Sequence, residues 1–200
     1  MDDLIAELDR GGRAVSDAEL HDAPAHVVEL HRALRAPVTD VWDACTHPER
    51  VARWFLPLSG DLRPGGSFQL EGNAGGTITI CEPPHRLQLT WQFGDAKPSL
   101  VSLELAPAAD DTTELVLRHT VPDDAHWAQY GPGAVGVGWD GALVGLSGAI
   151  AGDERPHDDE LMAAFMRRSA VLWCAAHQAT GITPEVARDA AARTSAFYAP

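Results

Sequence analysis

Basic residues are scarce in this chain. It has 15 Lys plus Arg against 29 Asp plus Glu, which gives a formal net charge of −14 at pH 7. Binding to a polyanion requires a cluster of positive charge. The composition therefore argues against nucleic acid and anionic membrane surfaces as partners, and it favours a neutral or cationic partner.

Cysteine is scarce as well. Cys45, Cys81 and Cys174 are odd in number, far apart in the sequence and without a CxxC pair. A disulfide framework needs an even set of cysteines, and a structural zinc site needs closely spaced ligands. We predict neither feature, and we expect three small core or half-buried thiols.

Long apolar runs are missing. No uninterrupted run approaches the roughly 18 residues that a membrane span requires. The N-terminal sequence MDDLIAELDRGGR carries acids where a signal peptide would carry bases. We therefore expect a soluble, cytoplasmic protein without a membrane span. The 45% hydrophobic content of the 200 residues is enough for one substantial core.

The common catalytic and metal-binding motifs are also missing. There is no GxSxG, no GxxxxGK and no HExxH, and the nine histidines do not form an HxxxH array. The run 136–141, GVGWDG, fits GxGxxG, but it follows a predicted loop and lacks an acidic strand end about 20 residues later. We predict no cofactor, no metal and no group of catalytic residues, so the sequence argues against an enzyme.

Two predicted helical regions frame the middle of the chain. The run 37–55, PVTDVWDACTHPERVARWF, predicts two short helices, the first capped by Thr39 or Asp40. The run 136–151 predicts a longer helix. Its apolar stripe at helical spacing consists of Trp139, Leu143, Leu146 and Ile150.

Between these helices the apolar residues alternate with polar ones, and a first strand is predicted over 26–35. This period of two is typical of an antiparallel sheet with one dry face and one wet face. The long helix is the predicted cover of the dry face. The residues predicted to face that helix are Phe68, Ile80, Leu89, Trp91, Leu103 and Leu117.

The two ends of the chain lie outside this pattern. Residues 1–25 predict a short acidic helix and a polar segment that ends at a breaker, which together form a loosely attached arm. Residues 153–200 predict a helical extension with helices at about 160–177 and 184–198. The second helix is expected to be capped by Thr183. The predicted domain is 26–152.

Four glycines lie on the side of the long helix opposite its apolar stripe: Gly141, Gly145, Gly148 and Gly152. Each glycine costs about 1 kcal/mol against alanine in an exposed helix, so the set needs a reason. We expect the C-terminal extension to pack on this strip, either within one chain or reciprocally in a homodimer.

Several stretches together resemble the SRPBCC, or START-like, superfamily. They are VWDACTHPERVARWFLP, GDLRPGGSFQLEGNAGG, EPPHRLQLTWQF, LVLRHT and GWDGALVGL. They are most similar to the branch named after the C-terminal domain of activators of the ninety-kilodalton heat-shock protein ATPase, over about residues 26–151. The resemblance implies an α+β helix-grip fold, a curved antiparallel sheet wrapped around a long helix, with a cavity between them. It does not imply a chaperone partner, because the branch name is a label of sequence similarity.

His119 shares its predicted strand face with Leu115 and Leu117, so its imidazole is expected to point inward. It could exchange a proton with a ligand, or it could be a core histidine bonded to a neighbouring hydroxyl or carbonyl. The tryptophans could form an aromatic wall or serve as core anchors. The predicted ligand-binding residues are Trp54, Phe68, Trp91, Leu103, Leu117, His119, Trp139 and Leu143.

Three classes of function remain. The first is a module that encloses a hydrophobic or amphipathic small molecule. The second is a cyclase, aromatase or lyase that uses His119, and the third is an interaction protein of the co-chaperone kind. We rank binding first because the inner face is expected to be apolar and offers few polar groups beside His119.

Overall fold

The computed structural model describes residues 2–153 and 158–199. The N-terminal and central elements are α1 Asp2–Arg10, β1 Gly12–Leu20, β2 Ala23–Leu34, α2 Val38–Thr46, α3 Pro48–Trp54, β3 Leu58–Gly60, β4 Ser67–Leu70, β5 Gly75–Glu82 and β6 Arg86–Trp91. The remaining elements are β7 Ser99–Pro107, β8 Thr113–Pro122, α4 Ala125–Tyr130, α5 Gly133–Ala151, α6 Asp159–Gln178 and α7 Pro184–Tyr198.

The strands form one eight-stranded sheet in the order β1-β2-β8-β7-β6-β5-β4-β3. The registers of β3 with β4, β4 with β5, β5 with β6 and β6 with β7 are all antiparallel. With the long helix α5 and the C-terminal helices α6 and α7, the chain has the α+β architecture of a helix-grip fold. The predicted fold class is confirmed.

Contacts divide the chain into two compact units. The first unit contains Met1–Leu30, Thr120–Val144 and Arg155–Pro200, and the second contains His31–His119 and Gly145–Glu154. The chain passes from one unit to the other within β2, β8 and α5. The division into 1–25, 26–152 and 153–200 stays a prediction.

The N-terminal segment forms more secondary structure than the sequence suggested. Gly12–Leu20 and Ala23–Leu34 are strands joined at His21 and Asp22, whose φ angles of 54° and 60° are left-handed. Two such residues in succession are typical of a tight hairpin turn. The expectation of a polar segment without a strand was therefore wrong. None of the apolar residues of β1 is buried, so the strand has no hydrophobic alternation to detect.

A buried ion pair holds the first unit together. Arg13 of β1 donates from Nε and Nη2 to the two carboxylate oxygens of Asp140, at 3.0 and 2.7 Å. Asp140 also accepts from Ser169 Oγ at 2.6 Å and from Trp173 Nε1 at 2.9 Å. The side chains of Arg13 and Asp140 are 5% and 0% exposed. This cluster connects β1, α5 and α6.

The glycines of α5 meet the C-terminal helices one to two turns earlier than the sequence suggested. A Cβ on Gly136 would overlap the ring of Trp173, and one on Gly133 would lie 2.8 Å from Thr194 Cγ2. A Cβ on Gly145, in contrast, would lie 2.8 Å from the backbone oxygen of Trp54. Among the four predicted glycines, Gly141 contacts α6, since a Cβ added to it would lie 3.3 Å from Met166 Cε. The predicted strip is thus wrong for three of the four glycines: Gly145 lies against α3, a Cβ on Gly148 would lie 2.7 Å from the backbone oxygen of Asp153, and a Cβ on Gly152 would meet nothing within 4 Å.

The predicted register of the central strands is confirmed on β6 and β7. Leu87 pairs with Leu103 and Trp91 pairs with Ser99, so these four side chains share one face. On β5 a bulge lies between Ile78 and Ile80. It places Ile80 opposite Gln88 on the polar face, because a bulge adds one residue and reverses the alternation beyond it. The prediction for Ile80 was wrong for this reason.

The predicted helix starts are confirmed in part. α2 begins after Pro37 without a side-chain cap, so neither Thr39 nor Asp40 caps it. Asp40 instead accepts from Arg50 Nη1 at 2.7 Å. α7 begins as expected, with Thr183 as the N-cap that accepts from the backbone N–H of Val186.

By length and composition, α5 is the one helix among residues 2–153 and 158–199 that could cross a membrane. Within the protein, 44% of its apolar window is buried. The core helix of a soluble protein meets the same criterion, so this finding is weak evidence for a span.

Candidate functional site

The second unit contains six of the eight predicted site residues, namely Trp54, Phe68, Trp91, Leu103, Leu117 and His119. The other two, Trp139 and Leu143, lie on α5 in the first unit and are 9% and 2% exposed. A role of any of the eight in ligand binding stays a prediction.

Trp91 lies at the centre of an aromatic cluster in the second unit. Its ring centroid is 6.2 Å from that of Phe68, 6.0 Å from His119 and 6.4 Å from Phe55. Phe55 in turn stacks on Trp54 at 5.5 Å. We call these five residues the aromatic cluster. The structure therefore brings together four of the predicted residues, with Phe55 as the link to Trp54.

The strand residues of the cluster have an apolar surround. Leu103 and Leu117 are 7% and 4% exposed, on the buried faces of β7 and β8. Phe68 packs in one core with Val51, and Phe55, Leu89 and Trp91 lie against that core. Trp54 is held by a hydrogen bond from its Nε1 to the backbone oxygen of Ala44 at 2.9 Å.

Ser99 is a partner of His119 that sequence reasoning missed. Ser99 Oγ lies 2.8 Å from His119 Nε2 and 2.9 Å from the backbone oxygen of Trp91. A carbonyl oxygen only accepts, so the serine hydroxyl donates to Trp91 and His119 Nε2–H donates to the serine. Ser99 precedes Val101 and Leu103 by the same period of two, and this spacing could have placed it on the buried face.

Arg32 is a second polar residue that the sequence analysis overlooked. It alternates with Leu30 and Leu34 on β2, and it is 5% exposed. Its Nη1 donates to the backbone oxygen of His31 at 2.8 Å. With Ser99 and His119 it shows that the buried side of the strands is less uniformly apolar than expected. The period of two in the sequence places all three residues on this side.

Burial lowers the pKa of His119 from 6.5 to about 3. The imidazole is therefore neutral near pH 7, which agrees with its role as a donor to Ser99. Burial also raises the pKa of the Cys45 thiol to about 12, so this cysteine is a thiol and not a nucleophilic thiolate. All three cysteines are free and half-buried, as predicted.

The arrangement of Ser99 and His119 is opposite to that of a nucleophile and its base. A catalytic histidine accepts the serine proton, whereas here the serine proton is directed to the Trp91 carbonyl. Among the described residues, no group of three or more His, Cys, Asp or Glu could hold a metal ion. The geometry instead holds a neutral histidine in a fixed position beside an indole.

The buried histidine predicts a loss of stability in acid. The unfolded state takes up a proton below pH 6.5, while the folded state resists protonation of His119 down to about pH 3. Its contribution is therefore complete above pH 6.5 and is lost as the pH falls towards 3, at about 1.4 kcal/mol per pH unit. We expect His119→Gln to remove about 2 kcal/mol of the stability difference between pH 6.5 and about 5.

Urea unfolding of both proteins across this pH range measures the difference. Parallel pH profiles for the parent and His119→Gln would contradict the assignment of His119 as a buried neutral group.

Comparisons with known proteins support the family and the fold. The family model described as Activator of Hsp90 ATPase homolog 1-like protein matches residues 35–151. The crystal structure of CalU16 from Micromonospora echinospora is similar, with 35% sequence identity and a TM-score of 0.68, over 83% of this chain and 97% of that one. Its solution structure gives 33% identity and a TM-score of 0.72, over 85% and 96% of the two chains.

A third similar structure is that of DynU16, a protein in the dynemicin biosynthetic locus. It shares 27% identity with a TM-score of 0.56, and the match covers 65% of this chain and 49% of that one. A search of curated proteins found no match.

Proposed function

Because the chain belongs to the Activator of Hsp90 ATPase homolog 1-like family, we propose that it is a START-like protein that binds a small hydrophobic or amphipathic molecule. The ligand would contact the aromatic cluster and the apolar residues around it. Leu103 and Leu117 would contribute from the strands, and Trp139 and Leu143 of α5 stay predicted contacts.

The observation that carries this proposal is the exposure of the aromatic cluster. Phe68 and His119 are buried, at 5% and 3%, whereas Trp54, Phe55 and Trp91 are only half-buried. A ligand that covered the three half-buried rings would remove a large apolar area from water, and aromatic side chains are among the strongest contributors to such contacts. The neutral imidazole ring of His119 would present its polarisable edge to the ligand.

The same geometry favours binding over catalysis. The serine proton is directed away from His119, and the low pKa of the imidazole makes it a weak base. A cyclase or aromatase that uses His119 would need a ligand to rearrange both hydrogen bonds. The enzyme alternative therefore ranks second.

The family description names an activator of the Hsp90 ATPase, so a chaperone contact is the third alternative. The acidic surface that it would use follows from the net charge of −14. We also propose a cytoplasmic location without a membrane span, and self-association in a homodimer is an alternative use of the C-terminal helices. Size-exclusion chromatography with light scattering decides the oligomeric state.

A fluorescence titration tests the binding proposal. We expect 8-anilinonaphthalene-1-sulfonate to bind the purified protein and to quench tryptophan emission. Trp91→Ala should weaken this binding at least tenfold, because it removes the central ring of the aromatic cluster. Trp42→Ala, which changes a half-buried tryptophan on α2, is the matched control and should leave the affinity within about twofold.

Two results would count against the proposal. One is the absence of binding to a folded protein, and the other is equal loss of binding in both variants. In either case, stimulation of a chaperone ATPase by the purified protein would support the interaction alternative.

A further inference from the structure

An open hollow of about 560 Å³ lies in the second unit, beside β3, β4, β5 and the loop that follows β6. Three carboxamide side chains line it, those of Gln69, Asn73 and Gln92, together with the Ser67 hydroxyl, Phe68 and four glycines. No charged side chain is among the described residues that line it. In a chain with a net charge of −14, a neutral polar hollow is an unusual surface.

The carboxamide of Gln69 has a fixed orientation. Its Nε2 donates to the backbone oxygens of Leu70 and Asn73, at 2.8 and 2.9 Å. Both amide hydrogens are therefore used, and Oε1 is the group that a ligand would meet. A Cβ added to Gly75 would lie 2.5 Å from this Oε1, so the oxygen occupies the space above a residue that has no side chain.

Asn73 is oriented in the opposite sense. Its Oδ1 accepts from the backbone N–H of Ala74 at 2.7 Å, which leaves Nδ2 as the donor end of this carboxamide. Gln92 and Ser67 add an amide and a hydroxyl, which can each donate and accept. The hollow thus presents oriented donors and acceptors without a formal charge.

The aromatic residue next in the sequence, Phe93, is not among the residues that line the hollow. Phe93 follows Gln92, and 59% of its surface is exposed. The backbones of Gly75 and Gln92 are already paired with each other, at 3.0 and 2.9 Å. An extended peptide would therefore not find an open backbone ladder on these two residues.

From these observations we infer that the hollow binds a neutral saccharide. Each sugar hydroxyl both donates and accepts, so a ring of hydroxyls can pair with the acceptor Gln69 Oε1, with the donor end of Asn73, and with Gln92 and Ser67. This site is separate from the aromatic cluster, and it does not depend on the binding of a hydrophobic molecule there.

Nuclear magnetic resonance of the full ¹⁵N-labelled chain tests the inference. The probes are D-glucose, D-galactose and N-acetyl-D-glucosamine, added separately at millimolar concentrations. We expect at least one of them to shift the side-chain amide signals of Gln69, Asn73 and Gln92 in a saturable manner. Gluconate and glucose 6-phosphate should bind no better, because the hollow offers no cation.

Three variants locate the effect. Gly75→Ala forces the Gln69 carboxamide out of its oriented position, because the added Cβ would lie 2.5 Å from Oε1, and Gln69→Leu removes the carboxamide. Both should weaken binding at least tenfold while the rest of the spectrum stays that of the folded protein. Gln88→Leu changes a glutamine of β6 outside the hollow and should leave the affinity within about twofold.

The inference is overturned if none of the three sugars shifts these signals, or if the shifts persist unchanged in Gly75→Ala and Gln69→Leu. It is also overturned if the charged sugars bind more tightly, or if a short alanine peptide shifts the same signals and the sugars do not.

Discussion

Asp140→Asn is expected to destabilise the protein more than any of the other single replacements. It leaves the Arg13 guanidinium, whose side chain is 5% exposed, without its buried carboxylate. Removal of one partner from a buried ion pair typically costs about 3–5 kcal/mol, because the remaining charge is unpaired and away from water. Ser169 and Trp173 would also compete for the single remaining acceptor oxygen.

Urea unfolding followed by tryptophan fluorescence measures this loss. Asp9→Asn is the matched control, since Asp9 accepts from Arg168 at 2.9 Å in a pair whose side chains are about 40% exposed. An exposed pair contributes at most about 1 kcal/mol. The double variant Arg13→Met with Asp140→Leu should recover part of the loss, because it removes both buried charges. Equal effects of Asp140→Asn and Asp9→Asn would contradict the account.

Gly136→Ala is expected to have the second large effect. The added Cβ would overlap the ring of Trp173, which is 1% exposed and therefore cannot move aside into solvent. Insertion of a methyl group into a packed core typically costs about 1–3 kcal/mol. The propensity of alanine in a helix favours the substitution by only about 1 kcal/mol, so the overlap dominates.

Gly141→Ala in the same helix is the control for this prediction. Its Cβ would lie 3.3 Å from Met166 Cε, which is the end of a flexible side chain. The gain in helix propensity from alanine should therefore equal or exceed the small steric cost. Thermal unfolding of the two variants should therefore give a lower melting temperature for Gly136→Ala and an unchanged or higher one for Gly141→Ala. The reverse order would show that Trp173 does not pack on Gly136.

The features that the sequence predicts well are those with strong local periodicity. Leu103, Leu117 and His119 alternate with polar residues over whole strands, so their common face is visible without a structure. Thr183 and the proline after it form a start signal that needs no tertiary contact. The family resemblance then connects these elements into a helix-grip fold.

The features that the sequence does not predict depend on distant partners or on single-residue insertions. Arg13 and Asp140 are 127 positions apart, and neither stands in a pattern that identifies the other. The bulge beside Ile80 reverses a face without any glycine or proline to mark it. None of the apolar residues of β1 is buried, so this strand leaves no trace in hydropathy.

The same distinction applies to the candidate site. Trp91 and His119 could be predicted on a buried face from the alternation of β6 and β8, whereas the position of Phe68 relative to Trp91 depends on the bulge in β5 between them. Phe55 could not be placed between Trp54 and Trp91, since it lies at the irregular end of α3, where its φ and ψ are −127° and −103°. The hydrogen bond from His119 to Ser99 needed the registers of two strands at once.

Native mass spectrometry of the full chain, purified from its own host without denaturation, tests the central claim most directly. The account predicts a population whose mass exceeds that of the chain by one small molecule, which extraction identifies as hydrophobic or amphipathic. Trp91→Ala should lose this population, and Trp42→Ala should keep it. A bare chain mass for the parent protein, together with no binding of the fluorescent probe, would contradict the claim that this protein binds a small molecule at its aromatic cluster.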